Sequence, residues 1–209
     1  MENIITTIIR VVVVLICITV HEFFHGYSAY KLGDDTAKRA GRLSLNPIKH
    51  IDPIGTIMFF IFKFGWAKPV PVNPYNFNNM KTDMALTAVA GPISNFILAI
   101  ISALILKGAF YFGIDNFLIM NFLYSMILFN IGFGLFNLLP FPPLDGSKII
   151  GGFMPDDMYF RWMSFEQKGA YLLMAILLIS FIFKIPLISM IILPPLEFFF
   201  ELLVKMAVN

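Results

Sequence analysis

Long apolar runs are the feature that most limits how this chain can fold. A membrane-spanning helix needs about 20 predominantly apolar residues. Charged residues make up only 13% of the 209 residues and hydrophobic residues 58%, and this charged fraction is about half that of a soluble globular domain. The sequence therefore predicts an all-α multi-pass membrane protein with one domain over 1–209. Its five candidate spans cover about 4–32, 84–110, 117–138, 168–184 and 186–204.

The segments between and beside these runs carry weaker signals. A sixth apolar run, 54–64, is short and contains Lys63, so we expect a re-entrant or interfacial element and five to six membrane segments in total. Before it, Arg42–Asn46 alternates polar and apolar residues, which predicts a short β-like element. After it, Lys68–Pro74 is rich in proline and should be extended. The last two runs meet at 184–186 and form either a helical hairpin or one helix kinked at a proline.

Composition argues against several classes of protein. The single cysteine, Cys17, rules out an intramolecular disulfide. A net charge of +2 without a basic aromatic patch gives no reason to expect nucleic-acid binding. The N-terminal apolar run continues into a polar motif and has no small-residue cleavage site, so we expect a membrane helix rather than a removable signal peptide.

Basic residues indicate how the chain is oriented in the membrane. They concentrate in the connections 33–83 and 139–167, which the positive-inside rule places in the cytoplasm, with the N-terminus outside. The end of the first span and the end of the third span then reach the same face of the membrane. The residues behind this orientation are Lys31, Lys38, Arg39, Arg42, Lys49, Lys63, Lys68 and Lys81, followed by Lys148, Arg161 and Lys168.

The first apolar run contains the motif His21-Glu22-Phe23-Phe24-His25. Two histidines four residues apart lie on one helix face, about 6 Å apart along the axis, which suits two imidazole ligands of a divalent metal. Ionisable residues within an apolar span are costly and mark function. Glu22 can reach the open side of such a metal as a general base. The alternative is that the three side chains share an aqueous groove for structural reasons.

A catalytic zinc site needs a third protein ligand. His50 lies in the basic connection, where we expect a solvated or interfacial role. Asp145 is the better candidate, because it follows the segment 137–144, whose three prolines must break the helix as the third span ends. The alternative is that Asp145 and Gly146 form a simple turn that leaves the membrane.

Other polar residues in the apolar runs have two interpretations each. Asn95, in Gly91-Pro-Ile-Ser-Asn95, is either an interhelical hydrogen-bonding group or an amide directed at a developing oxyanion, and the residues alone favour the first. Asn137 is expected to bond the broken backbone that follows it. Cys17 lies one turn before His21 on the same face and is expected to pack.

Together these motifs resemble those of the site-2 protease family of intramembrane zinc metalloproteases. His21–His25 matches H-E-x-x-H, Gly91–Asn95 matches G-P-x-x-N, and Asn137–Gly146 matches N-x-x-P-x-P-x-L-D-G, in the same order. The third motif is long and specific, whereas the second alone would be weak. The resemblance covers about residues 10–150, and the apolar segments over 168–204 add nothing diagnostic.

The resemblance implies one Zn²⁺ per chain, bound by His21, His25 and Asp145, with Glu22 as the catalytic acid/base. It also raises Asn95 to a catalytic residue that stabilises substrate or transition state. The implied enzyme is an intramembrane endopeptidase of the cell membrane, with its active site towards the cytoplasm. No polar interval is long enough for the PDZ or CBS domains of many relatives, so a minimal form is expected.

The expected partners are the lipid bilayer and a transmembrane protein substrate. A substrate helix must unwind before attack, so we expect it to be held extended as an added strand against Arg42–Asn46 or Pro69–Pro74. The alternative function is a non-proteolytic membrane scaffold or transporter with a structural metal site, which would have no need of Glu22. An anchored protease for soluble substrates fits less well, because the ligands lie in the spans. The oligomeric state is left open.

Overall fold

The computed structural model describes residues 4–62 and 65–208. Every regular element within these ranges is helical, and the end of the sixth apolar run, including Lys63, lies outside them. Two short 3₁₀ turns, Pro47–His50 and Pro74–Asn76, lie in the first long connection. The helices are α1 Ile4–Lys31, α2 Thr36–Arg39, α3 Pro53–Phe62, α4 Met80–Tyr111, α5 Phe117–Asn137, α6 Asp145–Gly151, α7 Asp156–Ser164, α8 Glu166–Phe183 and α9 Leu187–Val208.

Four helices in the described ranges, α1, α4, α5 and α9, are long and apolar enough to cross a membrane. A fifth span results if α7 and the Lys168–Phe183 part of α8, bent by 53°, are taken together. Helix α3 has ten residues, about 15 Å, and is too short to cross. The described chain thus supports four or five spans rather than the five to six predicted.

The two C-terminal apolar segments form separate helices. The backbone at Lys184 is left-handed, with a φ of 55°, and this residue ends α8 before α9 begins at Leu187. A left-handed residue cannot continue a right-handed helix. Of the two arrangements that the sequence left open, one continuous kinked helix is therefore excluded.

Helix α4 is the central element and contacts α1, α5, α6 and α9. Its buried face is built mostly from small residues spaced three or four apart, which allows neighbouring helix backbones to approach closely. An apolar cluster between α4, α5 and α9 surrounds Leu106, Ile127 and Ile131. The buried small and polar residues of α4 are Thr87, Ala88, Gly91, Ser94, Asn95, Ala99, Ser102, Ala103 and Ala109.

Helix α1 presents a buried stripe in which successive residues are four apart: Val13, Cys17, His21, His25 and Ala29. Val13 and Cys17 pack against Met126 of α5, and Cys17 is a free thiol, which confirms its predicted packing role. The same stripe carries both histidines of the first motif into the interface with α4 and α5.

The prediction of a short β-like element over Arg42–Asn46 is wrong, since no strand forms in the part of the chain that the structure describes. Ser44 N–H donates to the carbonyl of Arg42, two residues back, which closes a tight turn. The Asn46 side chain caps the following 3₁₀ turn by accepting from Ile48 N–H. Alternation in the sequence therefore does not lead to a strand, because local bonds occupy the backbone and no partner strand lies alongside.

Candidate metal centre

His21, His25 and Asp145 meet in the protein interior. The Nε2 atoms of His21 and His25 lie 3.1 and 3.2 Å from Oδ2 of Asp145, and 2.9 Å from each other. All three residues are buried, with exposed fractions of 2%, 9% and 7%. Within the described ranges, this is the group of potential ligands whose donor atoms converge closely enough to hold one metal ion.

The hydrogen bonds of the two rings define which nitrogen carries the proton. His21 Nδ1 lies 2.7 Å from Oδ1 of Asn95, and His25 Nδ1 lies 2.8 Å from the carbonyl oxygen of Thr87. Both oxygens can only accept, so each Nδ1 donates, and in a neutral ring the lone pair is then on Nε2. Both Nε2 lone pairs are therefore turned towards the Asp145 carboxylate.

This convergence of lone pairs fits a bound cation. Oδ2 of Asp145 is buried and has no hydrogen-bond partner among the described residues, which agrees with two neutral rings whose facing nitrogens carry no proton. A buried carboxylate without a donor is costly unless it is paired or binds a metal. Two imidazoles and one carboxylate are a ligand set of catalytic zinc sites, in which a further position remains open.

Gly91 allows the two rings to approach α4. A Cβ built at this position would lie 2.5 Å from Cε1 and Nε2 of His25 and 2.7 Å from Cε1 of His21. The opposite side of the His21 ring packs edge-on against Phe133, with centroids 4.9 Å apart. The rings thus fill the space between α4 and α5, and a larger residue at position 91 would displace them.

Asp145 is held at the start of α6, directly after the proline-rich turn. A side chain at Gly146 would collide with the carbonyls of Leu138 and Leu139, so the absence of a Cβ lets α6 fold back against the end of α5. Ser147 Oγ donates to the carbonyl of Leu144 across this turn. The structure therefore brings Asp145 to the histidines through a broken backbone, as the sequence predicted, and not as an exposed turn.

The positively charged side chain of Lys148 lies one helical turn beyond Asp145. Lys148 Nζ pairs with Oε1 of Glu166 at 3.2 Å. Burial alone would lower the pKa of Lys148, but the nearby Glu166 carboxylate raises it above its ordinary value. Lys148 is therefore charged, and its ion pair ties α6 to the first turn of α8.

Glu22 lies beside the histidine pair and is half-buried. Its Oε2 accepts a hydrogen bond of 2.7 Å from the backbone N–H of Val70. Val70 belongs to Lys68–Pro74, which we call the proline segment. Over 65–73 the chain is non-helical, and the predicted extended conformation is found at Asn73, whereas Pro74 begins a 3₁₀ turn.

The proline segment is fastened at both ends. Lys68 N–H donates to the His50 carbonyl at 2.9 Å, and Arg42 Nη2 donates to the Lys68 carbonyl at 2.7 Å. At the other end, Asn73 N–H donates to Oδ2 of Asp34 at 2.8 Å. These bonds hold the segment across α1, so that Val70 N–H faces Glu22.

Asp34 is the buried residue that holds the Asn73 end of the proline segment. It is fully buried and also accepts from Thr36 N–H, Thr36 Oγ1 and Asn76 Nδ2. Burial would raise the pKa of the Asp34 carboxyl, but these hydrogen bonds hold its pKa below the ordinary value. Asp34 is therefore ionised and fastens the end of the proline segment near the end of α1.

Two predictions about polar residues need correction. His50 is only 1% exposed, with Nε2 2.8 Å from the Ser44 carbonyl, so of the two expected roles, solvated or interfacial, the solvated one is wrong. It lies outside the converging metal group and supports the proline segment instead. Asn137 Nδ2 donates to the carbonyl of Phe133, 3.0 Å away and one turn earlier, so it bonds the preceding helix and not the broken backbone that follows.

Asn95 is fully buried and bonded within the protein. Besides accepting from His21, it donates through Nδ2 to the Cys17 carbonyl at 3.2 Å and to Oδ1 of Asn130 at 2.9 Å. It thus joins α1, α4 and α5, as the interhelical interpretation requires. Asn130 was not among the predicted residues, although a second amide within an apolar span was a visible signal.

Comparison with known proteins connects this site to metalloproteases. A family profile described as "Peptidase family M50" matches residues 113–182, a range that includes Asp145 but not the histidine pair. A protein of Bacillus subtilis (strain 168) named "Putative zinc metalloprotease YwhC" is 43% identical over an alignment of 169 residues, which covers 76% of this chain and 75% of that protein.

A more distant relative has a similar name. "Putative zinc metalloprotease Rip2" of Mycolicibacterium smegmatis (strain ATCC 700084 / mc(2)155) is 25% identical over an alignment of 177 residues, which covers 79% of this chain and 64% of that protein. No solved structure matches the chain. The arrangement described above therefore stands on this chain's own geometry.

Proposed function

This chain belongs to peptidase family M50, the site-2 protease family of zinc metalloproteases, and on that premise we propose that it cleaves peptide bonds in or near transmembrane segments of other membrane proteins. The observation that carries the proposal is the convergence of His21, His25 and Asp145 inside a bundle of apolar helices. Two histidine ligands on a membrane-spanning helix suit a reaction carried out at membrane depth.

In the proposed site, His21, His25 and Asp145 hold one zinc ion, and the protein groups behind them keep the ligands in place. Asn95 and the Thr87 carbonyl orient the two rings, as outer hydrogen-bond partners do in other zinc sites. Zinc, when bound, supplies the Lewis acidity that polarises a carbonyl and makes water a stronger acid. The buried surroundings exclude bulk water and strengthen these interactions.

Glu22 is the proposed general base. One of its oxygens, Oε2, is held by Val70 N–H, which orients the carboxylate. We assign it the proton of the attacking water, which it then returns to the leaving amine nitrogen. For Asn95 we propose a narrower role than the catalytic one that the resemblance implies. Its amide is fully buried, so it acts on the substrate only through His21.

The proposed active site faces the cytoplasm in the cell membrane. The motif on α1 lies in its C-terminal half, and Asp145 follows the C-terminal end of α5. Both helix ends lead into the connections that carry most of the basic residues, and such connections remain on the cytoplasmic side. Water would reach the site from that side.

We also propose that the substrate is held extended as an added strand, against Arg42–Asn46 or against the proline segment. The contact between Val70 and Glu22 supports the second location, because a peptide beside Val70 lies near the proposed base. Pro69 and Pro71 have no N–H, so they offer only carbonyl acceptors to a neighbouring strand. Recognition by backbone bonds suits a substrate whose helix has unwound.

Proline substitutions distinguish the two locations. Leu43→Pro with Leu45→Pro removes two N–H donors from the first location, and Val72→Pro removes one from the second without touching the Val70 N–H that holds Glu22, with Val72→Ala as the control that keeps its N–H. The proline variant at the location that binds the substrate should lose cleavage while its zinc content stays intact. Unchanged cleavage in both proline variants would reject the added strand.

The experiment that tests the function compares membrane proteomes of cells that carry either the intact protein or Glu22→Gln. The proposal expects uncleaved precursors of membrane proteins to accumulate in the variant, with new N-termini near transmembrane segments present only alongside the intact protein. Identical proteomes, with the variant expressed and zinc-loaded, would reject Glu22 as the base. Cut sites confined to soluble proteins would reject the proposed substrate class.

A further inference from the structure

Two asparagine amides lie at the contact of α1, α4 and α5, and both are fully buried: Asn95 and Asn130. The first hydrogen-bonds to His21 directly, whereas the hydrogen bonds described for the second go to Asn95 and to the Met126 carbonyl and not to a proposed zinc ligand. An amide buried among apolar helices is costly unless its hydrogen bonds are made. The question is therefore what Asn130 contributes at this point.

The hydrogen bonds of the Asn130 side chain determine which way its amide is turned. Its Nδ2 donates to the carbonyl of Met126 at 2.8 Å, and that carbonyl can only accept. Its Oδ1 is then turned towards Asn95, from whose Nδ2 it accepts at 2.9 Å. Asn130 thus offers Asn95 an acceptor and no donor.

The orientation of the Asn130 amide fixes that of Asn95, and Asn95 in turn determines which of its atoms faces His21. The Asn95 Nδ2 group donates to Asn130 and to the Cys17 carbonyl, so its Oδ1 faces Nδ1 of His21, 2.7 Å away. A rotated Asn95 amide would turn its NH₂ group to that nitrogen, and the ring would then keep its proton on Nε2. A protonated Nε2 has no lone pair for a metal.

We propose that Asn130 is a positioning residue for the metal site, acting through Asn95 to keep the proton of His21 on Nδ1 and its Nε2 lone pair free. The inference rests on the proposed function in that His21 must be a zinc ligand. Asn130 touches neither zinc nor substrate, and its effect is on metal affinity and on the ring tautomer.

The test uses Asn130→Leu, a substitution of similar size that removes the acceptor. Loss of an outer hydrogen-bond partner typically weakens metal binding about 10–100-fold, and we expect a decrease in this range in competition with a chelator. Asn121→Leu is the matched control, because Asn121 is on the same helix and its side-chain oxygen has no hydrogen-bond partner in the described part of the chain. Asn130→Ala is measured in parallel, in case leucine does not fold.

A second readout is the tautomer of His21. The chain has three histidines, so ¹⁵N NMR of histidine-labelled, zinc-free protein gives few signals to assign. We expect wild type and Asn121→Leu to carry the His21 proton on Nδ1, and the Asn130 variants to carry a substantial fraction on Nε2. A general loss of packing would change melting without this change of tautomer.

The outcomes separate this inference from the proposed function. Wild-type zinc affinity and tautomer in the folded Asn130 variants would overturn the role of Asn130, as would equal losses in Asn121→Leu. Unchanged zinc binding in His21→Ala would instead overturn the assignment of the metal site itself. Weakened zinc binding and a shifted tautomer in the Asn130 variants alone would support the inference.

Discussion

Replacement of Gly91 by alanine is the sharpest structural test of the metal site. The residue lies on α4 against both histidine rings, with no side chain between them. Alanine adds one methyl group and no charge. Because alanine stabilises a helix interior by about 1 kcal/mol relative to glycine, Gly91→Ala should not weaken α4 itself.

The magnitude follows from the contact distances. The new Cβ would lie 2.5 Å from two atoms of the His25 ring, whereas non-bonded carbon atoms meet at about 3.5 Å or more. The rings or the helix must therefore recede by about 1 Å. Metal–ligand distances are held within about 0.2 Å, so a displacement of this size takes His25 Nε2 out of ligand range.

We expect zinc affinity to fall by at least about 10–100-fold, the loss typical of a disturbed outer shell. The assay is chelator competition on purified protein, with metal content measured by mass spectrometry. Gly108→Ala is the matched control, because it makes the same change on the same helix where a Cβ would meet nothing within 4 Å. Folding of both variants is compared by thermal unfolding.

Wild-type zinc affinity in Gly91→Ala would refute the described packing of the rings against α4. An equal loss in Gly108→Ala would also refute it, since the effect would then come from the helix and not from the contact. A selective loss in Gly91→Ala, with melting unchanged or raised in the zinc-free protein, is the predicted result.

Three further predictions follow from the same contacts. Chelation of zinc should lower the melting temperature of the wild type more than that of His21→Ala, because the converging donors then face one another without a cation; thermal unfolding with and without chelator measures this. Gly146→Ala should lower metal content, since its methyl group would push Asp145 away from the histidines, and metal analysis of the purified variant checks it. Asp34→Asn should cost about 1–3 kcal/mol in unfolding free energy, because it disturbs a buried set of hydrogen bonds. Since the pKa of Asp34 is lowered on folding, its contribution is complete above the unfolded value of about 4 and is lost as the pH falls through the folded value, so the stabilities of wild type and variant should converge in acid.

Helix positions and the convergence of His21, His25 and Asp145 were largely predictable from the sequence. The first apolar run was expected over 4–32 and the structure has α1 over Ile4–Lys31, while the run over 117–138 corresponds to α5, Phe117–Asn137. Long apolar runs and four-residue spacing are local signals that tertiary contacts seldom override. The meeting of Asp145 with the histidines was predictable because proline-broken backbone and charge placement both direct it to the same face.

The contacts of backbone groups were not predictable. Val70 reaches Glu22 through its N–H, a group that every residue except proline has, so no residue type marks it. His50 was misjudged because a histidine in a polar connection gives no periodic sign of burial. The fit of Gly91 against the rings depends on how α1 and α4 pack, although the glycine itself stood in a recognised motif.

The most direct test of the central claim is a purified reaction with Glu22→Gln. Wild type and variant are each reconstituted in lipid vesicles with one substrate, a membrane protein that the proteome comparison identifies as accumulating in Glu22→Gln cells. Zinc content and cleavage are measured on the same samples. We predict one zinc per chain in both proteins and a cut near the substrate's transmembrane segment only with wild type. Cleavage by the zinc-loaded variant at the wild-type rate would contradict the assignment of Glu22 and the mechanism built on it.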